Sequence, residues 1–166
     1  MKKITLLITI LLFGIAGMAQ VTKDFEAGVP GTWTNYVEDI TTPDPGFIST
    51  ISQAHAGSGS IYHNDDDIAT ATSAWIVTAA YTITAATNDY LGFWYYHNWT
   101  DYYQYSGVWV STASSDPIAN PGDFVELQEF NDTFGYSEDT WTEFNLDLTA
   151  YIGQTVYFAF KYTGDY

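Results

Sequence analysis

The chain has 166 residues and sets 20 Asp and Glu against 4 Lys and Arg, which gives a formal net charge of −16 at pH 7. The absence of cysteine excludes disulfides, thiolate metal sites and a lipid-modified cysteine. The scarcity of cations argues against binding to nucleic acid or anionic membranes, because both depend on Lys and Arg to neutralise phosphate. The acidity has two interpretations: it keeps the protein soluble, or some carboxylates bind a divalent cation, preferably calcium.

The first segment has the pattern of a secretory signal peptide. Lys2 and Lys3 precede an apolar run from Ile4 to Ile15, and small residues follow up to Ala19. The apolar run is short for a membrane span, and small residues are typical of a signal peptidase site. We expect residues 1–19 to be removed on export and residues 20–166 to form one secreted or cell-surface domain, with no membrane insertion afterwards.

After the leader, short runs of alternating apolar and polar residues recur between Gly- and Pro-containing turns. This period of two predicts β-strands, and no stretch shows helical spacing over three turns. The predicted strands are Thr32–Val37, Gly46–Ile51, Ser60–His63, Ser73–Thr78, Tyr90–His97, Gly107–Thr112, Phe124–Glu129, Thr140–Leu146 and Thr155–Tyr162. One helical turn is predicted at Leu148–Tyr151. About nine short strands indicate an all-β antiparallel sandwich.

The alternation also predicts which side chains face the core. The inward sets are Leu91, Phe93 and Tyr95 on one strand, Val108 and Val110 on the next, and Val156, Phe158, Phe160 and Tyr162 on the last. Their neighbours Trp94, Tyr96 and Trp109 then point outward and are predicted to form one aromatic platform, which Trp99 and Tyr103 of the connecting segment extend. Flat rings beside amides and carboxylates suit sugar binding. Alternatively, these rings are cross-strand pairs that stabilise the sheet.

Several short motifs are specific through their combined order and spacing. They are Asp24–Gly28, Pro30–Trp33, Ala56–Tyr62, Ala74–Ile76, Leu91–Tyr96, Val108–Thr112, Trp141–Leu148, Ala150–Gln154 and Val156–Tyr162. Together they resemble the choice-of-anchor J, or cleaved-adhesin-type, domains of secreted Bacteroidetes proteins, which are related in architecture to MAM-like jelly rolls. The resemblance implies a two-sheet antiparallel jelly-roll sandwich. Because such domains continue past Gly164–Tyr166 into a closing strand, it also implies a C-terminally incomplete domain with an open sheet edge.

The same resemblance implies a structural calcium ion held by Glu26, with Asp24 two residues away on the same strand face. A second candidate is the run Asn64–Asp67, in which Asp65 and Asp67 offer carboxylates without the full pattern of an EF-hand loop. The alternatives are a solvated acid at the start of a strand and a polar loop. Calcium is therefore the one cofactor that the sequence suggests.

Enzymatic chemistry finds little support. The three histidines, His55, His63 and His97, lie in separate segments without a metal-binding spacing, and no GxSxG motif occurs. Glu126 and Glu129 fall on opposite faces of one strand, which argues against a glycosidase pair. We expect a secreted, non-catalytic adhesion module that binds glycans or surface proteins. The alternative is an accessory domain of a larger secreted peptidase or glycoside hydrolase.

Overall fold

The computed structural model describes residues 22–39, 44–63, 71–84, 89–98, 103–130 and 137–164. Within these ranges the chain forms β-strands and two short 3-10 turns, Pro121–Asp123 and Thr149–Tyr151, and no α-helix. The strands are β1 Thr34–Val37, β2 Ile48–Thr50, β3 Ser60–Tyr62, β4 Thr72–Val77, β5 Tyr81–Thr82, β6 Tyr90–Tyr95, β7 Tyr103–Ser111, β8 Phe124–Glu129, β9 Thr142–Asp147 and β10 Thr155–Gly164. The prediction of an all-β antiparallel sandwich is confirmed.

The predicted leader, residues 1–19, lies outside the described residues. In the part of the chain that the structure does describe, no helix has the length and apolar character needed to cross a membrane.

The larger layer is an antiparallel sheet built around β10. Its strand order is β1-β4-β10-β7-β8, and β5 pairs with the beginning of β10. One edge of β10 is hydrogen-bonded to β4 and the other to β7. Among the described strands only β7 and β8 are both adjacent in this sheet and consecutive in the chain, so most neighbours are joined by crossovers, as in jelly rolls.

The second layer consists of two separate strand pairs, β6 with β9 and β2 with β3. In the first pair Phe93 faces Phe144, and the two rings stack with centroids 5.1 Å apart. They pack with Phe130 on Val108 and Phe160 of the large sheet. The inward sets that the alternation predicts are therefore confirmed as core.

The opposite face of the large sheet is also covered, which the alternation of β10 alone does not predict. Ala159 is fully buried there with Trp75, Val77 and Phe124. The signal for this second apolar layer lies in β4, whose six residues are all buried. Its last four residues, Ala74 to Val77, form a continuous apolar run, which is typical of a strand buried on both faces, and Phe124, at the start of β8, packs in the same cluster.

We predict that Phe144→Ala lowers the free energy of unfolding by about 3–5 kcal/mol, because it removes a buried ring and leaves a cavity beside Phe93 and Phe130. Urea denaturation measures this loss. Val125→Ala is the control, since Val125 is 59% exposed and a surface change of this kind stays within about 0.5 kcal/mol. Similar losses in the two variants would contradict the packing described for β6 and β9.

Candidate binding site

Four rings from three separate segments meet on the second layer: His55, Trp94, Tyr96 and Trp141. The imidazole of His55, in the loop between β2 and β3, stacks on the indole of Trp94 with ring centroids 3.7 Å apart and planes inclined by 10°. The Trp141 ring meets the His55 ring edge-on, with centroids 5.6 Å apart. It is tilted relative to the Tyr96 ring, with centroids 5.3 Å apart. These four residues are called the aromatic cluster below.

The pairing of β6 with β9 places three of the four rings. Trp94 lies between Phe93 and Tyr95, whose side chains pack against the core, so the alternation of the strand turns its indole outward. The ladder ends at Tyr95, and Tyr96 and Trp141 are the next residues on the two strands. They therefore lie side by side just past the ladder, within reach of the loop that carries His55.

Trp94 keeps 43% of its surface exposed, although His55 covers one face of its ring. A single exposed ring is common on protein surfaces, but Trp94 belongs to a group of four adjoining rings, and contiguous exposed apolar patches mark binding sites. The stack with His55 holds the indole in one orientation, so the exposed part of the ring is presented without further ordering. This arrangement provides an exposed apolar surface for a ligand.

Polar groups surround this surface. The Tyr96 hydroxyl donates a hydrogen bond to Asp139 Oδ1 at 2.8 Å and accepts one from Gln53 Nε2 at 3.5 Å. The bond to the Asp139 carboxylate raises the pKa of Tyr96 above its usual value. Asp139 is itself fixed, because its backbone N–H donates to the His97 carbonyl at 2.9 Å. Donors and acceptors are thus held beside the rings.

The aromatic cluster stands at the rim of a cavity of about 1020 Å3. The cavity lies between β3 and β6, and the inward side chains Phe158, Phe160 and Tyr162 of β10 contribute to its lining. Its volume lies just above the usual range of small-molecule sites, which is roughly 300–1000 Å3. A ligand on the cluster would therefore have an apolar recess beside it.

A buried polar pair lies next to β3. His63 Nε2 lies 3.0 Å from Asp44 Oδ1, and both side chains are almost fully enclosed. The His63 ring also stacks on Tyr162 with centroids 4.3 Å apart. These contacts fasten the β2–β3 pair to the end of β10.

The structure does not bring Trp109 to the aromatic cluster, so the expected single platform is not formed. On β7, Val108 and Val110 enter the core between the layers, and Trp109 therefore faces the other side of the sheet. There its indole N–H donates to the Tyr105 hydroxyl at 2.7 Å, and its ring lies 5.8 Å from that of Trp75. Trp109 thus has the cross-strand and packing role that was the alternative for these rings.

The remaining predicted ligand-binding residues are not placed. The backbone of Tyr103 begins β7 and pairs with Gly164, and Trp99 lies outside the described residues. Their roles in binding stay predictions.

Sequence reasoning missed His55 and Trp141 as site residues, because both reach the cluster through contacts distant in sequence. The only local signal was an aromatic residue at the start of the predicted strand Thr140–Leu146.

The carboxylate of Glu26 accepts hydrogen bonds from a neighbouring loop of the same chain. Oε1 accepts hydrogen bonds from the backbone N–H groups of Ser58 at 2.7 Å and Gly59 at 3.2 Å, and Oε2 accepts one from the Ser58 hydroxyl at 2.5 Å. Asp24 Oδ1 accepts a bond from the backbone of Glu26. Glu26 therefore ties the N-terminal segment to the loop before β3.

The described residues contain no group of three or more His, Asp or Glu side chains arranged to hold a metal ion. They do not assemble a calcium shell around Asp24 and Glu26, and Asp65 and Asp67 lie outside the described part of the chain. Calcium binding stays a prediction.

A higher melting temperature in calcium than in chelator would support calcium binding by linkage, and an unchanged melting temperature would contradict it.

We predict that Glu26→Gln lowers the melting temperature at neutral pH. Bonds from the Ser58 hydroxyl, the Ser58 N–H and the Gly59 N–H lower the pKa of Glu26 below its ordinary value of 4.5. A carboxylate with a lowered pKa stabilises the fold above the unfolded pKa, and this contribution is lost as the pH falls through the folded pKa. The difference between variant and wild type should therefore shrink in acid.

Thermal melts across the acidic range check this expectation. Asp123→Asn is the control, because it removes one exposed carboxylate from the turn Pro121–Asp123 without touching the Glu26 contacts. If Glu26→Gln keeps the full acid sensitivity of the wild type, the tie does not stabilise the fold.

Three solved structures share the architecture. The chain matches the K1 cleaved adhesin domain of Lys-gingipain from Porphyromonas gingivalis with a TM-score of 0.57 and 19% identity, over 86% of this chain and 92% of that one. For the K2 cleaved adhesin domain of Lys-gingipain the TM-score is 0.57 at 19% identity, over 89% and 97%. For the K3 domain from P. gingivalis it is 0.51 at 19% identity, over 88% and 94%.

No family model and no curated protein sequence matches the chain. At 19% identity the likeness to the three domains is one of fold. The chain is thus an all-β sandwich with the fold of cleaved adhesin domains. The narrower assignment to choice-of-anchor J domains stays a prediction.

Proposed function

We propose that this domain is an exported, non-catalytic recognition module that binds glycans through the aromatic cluster. The observation that carries the proposal is the exposed indole of Trp94, held by His55 at the rim of the cavity. The shared fold with domains described as cleaved adhesins supports recognition as the general role. The predicted leader supports a secreted or cell-surface location.

The geometry suits a sugar ring. The C–H face of a pyranose stacks on an indole, while its hydroxyls both donate and accept hydrogen bonds. Gln53 and Asp139 stand next to the rings, bonded to Tyr96, and Asn98 lines the cavity beside them. Because His55 already fixes the indole, little rotamer freedom is lost on binding, which favours affinity.

A second candidate function is that of an accessory domain in a larger secreted enzyme. It is favoured by the fact that the three similar structures are domains of one larger protein, Lys-gingipain. The two candidates differ in what the isolated domain does. Glycan binding by the purified domain supports adhesion, whereas an effect seen only as higher activity of a linked catalytic domain supports the accessory role.

We predict that Trp94→Ala weakens glycan binding by roughly 30-fold or more, since loss of a central aromatic anchor costs about 2 kcal/mol or more. A glycan array identifies the bound sugar, and calorimetry measures its affinity for both proteins. The variant should fold normally, because Trp94 points away from the core.

Trp109→Phe is the matched control. It alters an aromatic side chain on the other face of the large sheet, where Trp109 packs with Trp75 and Tyr105, and should leave the affinity unchanged. Unaltered binding by Trp94→Ala, or equal losses in the two variants, would overturn the assignment of the site.

A further inference from the structure

The aromatic cluster is flanked by negative charge. Glu143 lies directly across from Trp94 in the ladder between β6 and β9, where facing Cβ atoms are about 4.5–5.5 Å apart. Its side chain is exposed. Asp139 holds the Tyr96 hydroxyl on the other side of the cluster. Two carboxylates therefore border the surface that a sugar would cover.

Lysine does not neutralise these carboxylates within the described residues. The lysines in this part of the chain are Lys23 and Lys161. Lys161 Nζ is held on the far face of the large sheet, 4.5 Å from the ring centroid of Trp75 and 5.5 Å from that of Tyr105. Lys23 and Lys161 both contribute to the lining of the cavity, but within the described residues neither forms an ion pair with Glu143 or Asp139.

The whole chain adds to this local effect. Its formal charge of −16 creates a negative potential that repels anions at distances up to about 8 Å at physiological salt. An acidic sugar stacked on Trp94 would place its own charge close to Glu143 and away from Lys161. A neutral sugar would meet the same rings and hydrogen-bonding groups without this repulsion.

We propose that the aromatic cluster selects neutral glycan chains and excludes glycans that carry carboxylate or sulfate groups. This inference rests on the proposed glycan-binding function and names its ligand class. Glu143 acts as the local source of the exclusion.

Hexasaccharides of matched length provide the test: a neutral glucose hexamer, an anionic galacturonic acid hexamer and a cationic glucosamine hexamer. Calorimetry of the purified domain at low and high salt should give at least tenfold tighter binding of the neutral than of the anionic hexamer. This difference should shrink as salt shortens the screening length, which is about 3 Å at 1 M. Affinity for the neutral hexamer should not depend on salt.

Glu143→Gln should raise the affinity for the anionic hexamer by at least threefold, because it removes the nearest charge and keeps the size of the side chain. Glu126→Gln is the matched control. It makes the same change in charge on the far face of the large sheet, where Glu126 accepts a hydrogen bond from the Tyr105 hydroxyl. It should leave the affinity for the anionic hexamer unchanged.

The outcomes separate the two proposals. If none of the hexamers binds and a wider glycan array is also blank, the glycan-binding function itself fails. If the anionic hexamer binds as tightly as the neutral one and Glu143→Gln changes nothing, the charge selection fails while the site stands. Preferential binding of the cationic hexamer by tenfold would also overturn neutral selection, since attraction by the carboxylates would then dominate.

Discussion

The fold depends on β10, because this strand is hydrogen-bonded along both edges and packed on both faces. Both of its edges are hydrogen-bonded, to β4 and β5 on one side and to β7 on the other. Both of its faces are packed, since Phe158 belongs to one core cluster and Ala159 to another. Backbone pairing fixes its position, and the strict alternation of its side chains divides the apolar residues between the two faces.

The site follows from the same constraint applied to β6. Phe93 and Tyr95 pack in the core against the inward face of the large sheet. Because side chains alternate along a strand, Trp94 between them faces outward. A register shift of one residue would bury the indole and expose two rings, which makes such a slip costly. The exposure of Trp94 is therefore a consequence of core packing, and its orientation is then refined by His55.

Sequence patterns predicted most of the strands and the core between the layers, but not the assembly of the site. The β8 strand, Phe124–Glu129, was predicted with its exact bounds, because alternation and flanking turn residues are local signals. The short strand β5 was missed, since Tyr81–Thr82 is too brief to show a period. The beginning of β7 was missed as well, because its residues before Gly107 include no aliphatic side chain that would mark an inward face.

The aromatic cluster illustrates what local patterns leave out. That Trp94 faces outward could be predicted from alternation, but its contact with His55 spans a long stretch of chain and depends on how the β2–β3 pair lies over the second layer. Trp109 follows the same alternation on another strand, yet it ends on the opposite side because β6 and β7 belong to different layers. Alternation assigns a side chain to a face, and only the layer arrangement decides which faces meet.

The division of the second layer into two strand pairs has a mechanical consequence. In the described part of the chain no backbone ladder joins β3 to β6, so the opening between them is spanned by ring contacts and a long side-chain bond: His55 on Trp94 and Gln53 to Tyr96. A ring pair contributes about 0.5–1.5 kcal/mol, far less than a strand ladder. Separating the two strand pairs would therefore break only side-chain contacts of this kind, while every strand ladder keeps its hydrogen bonds.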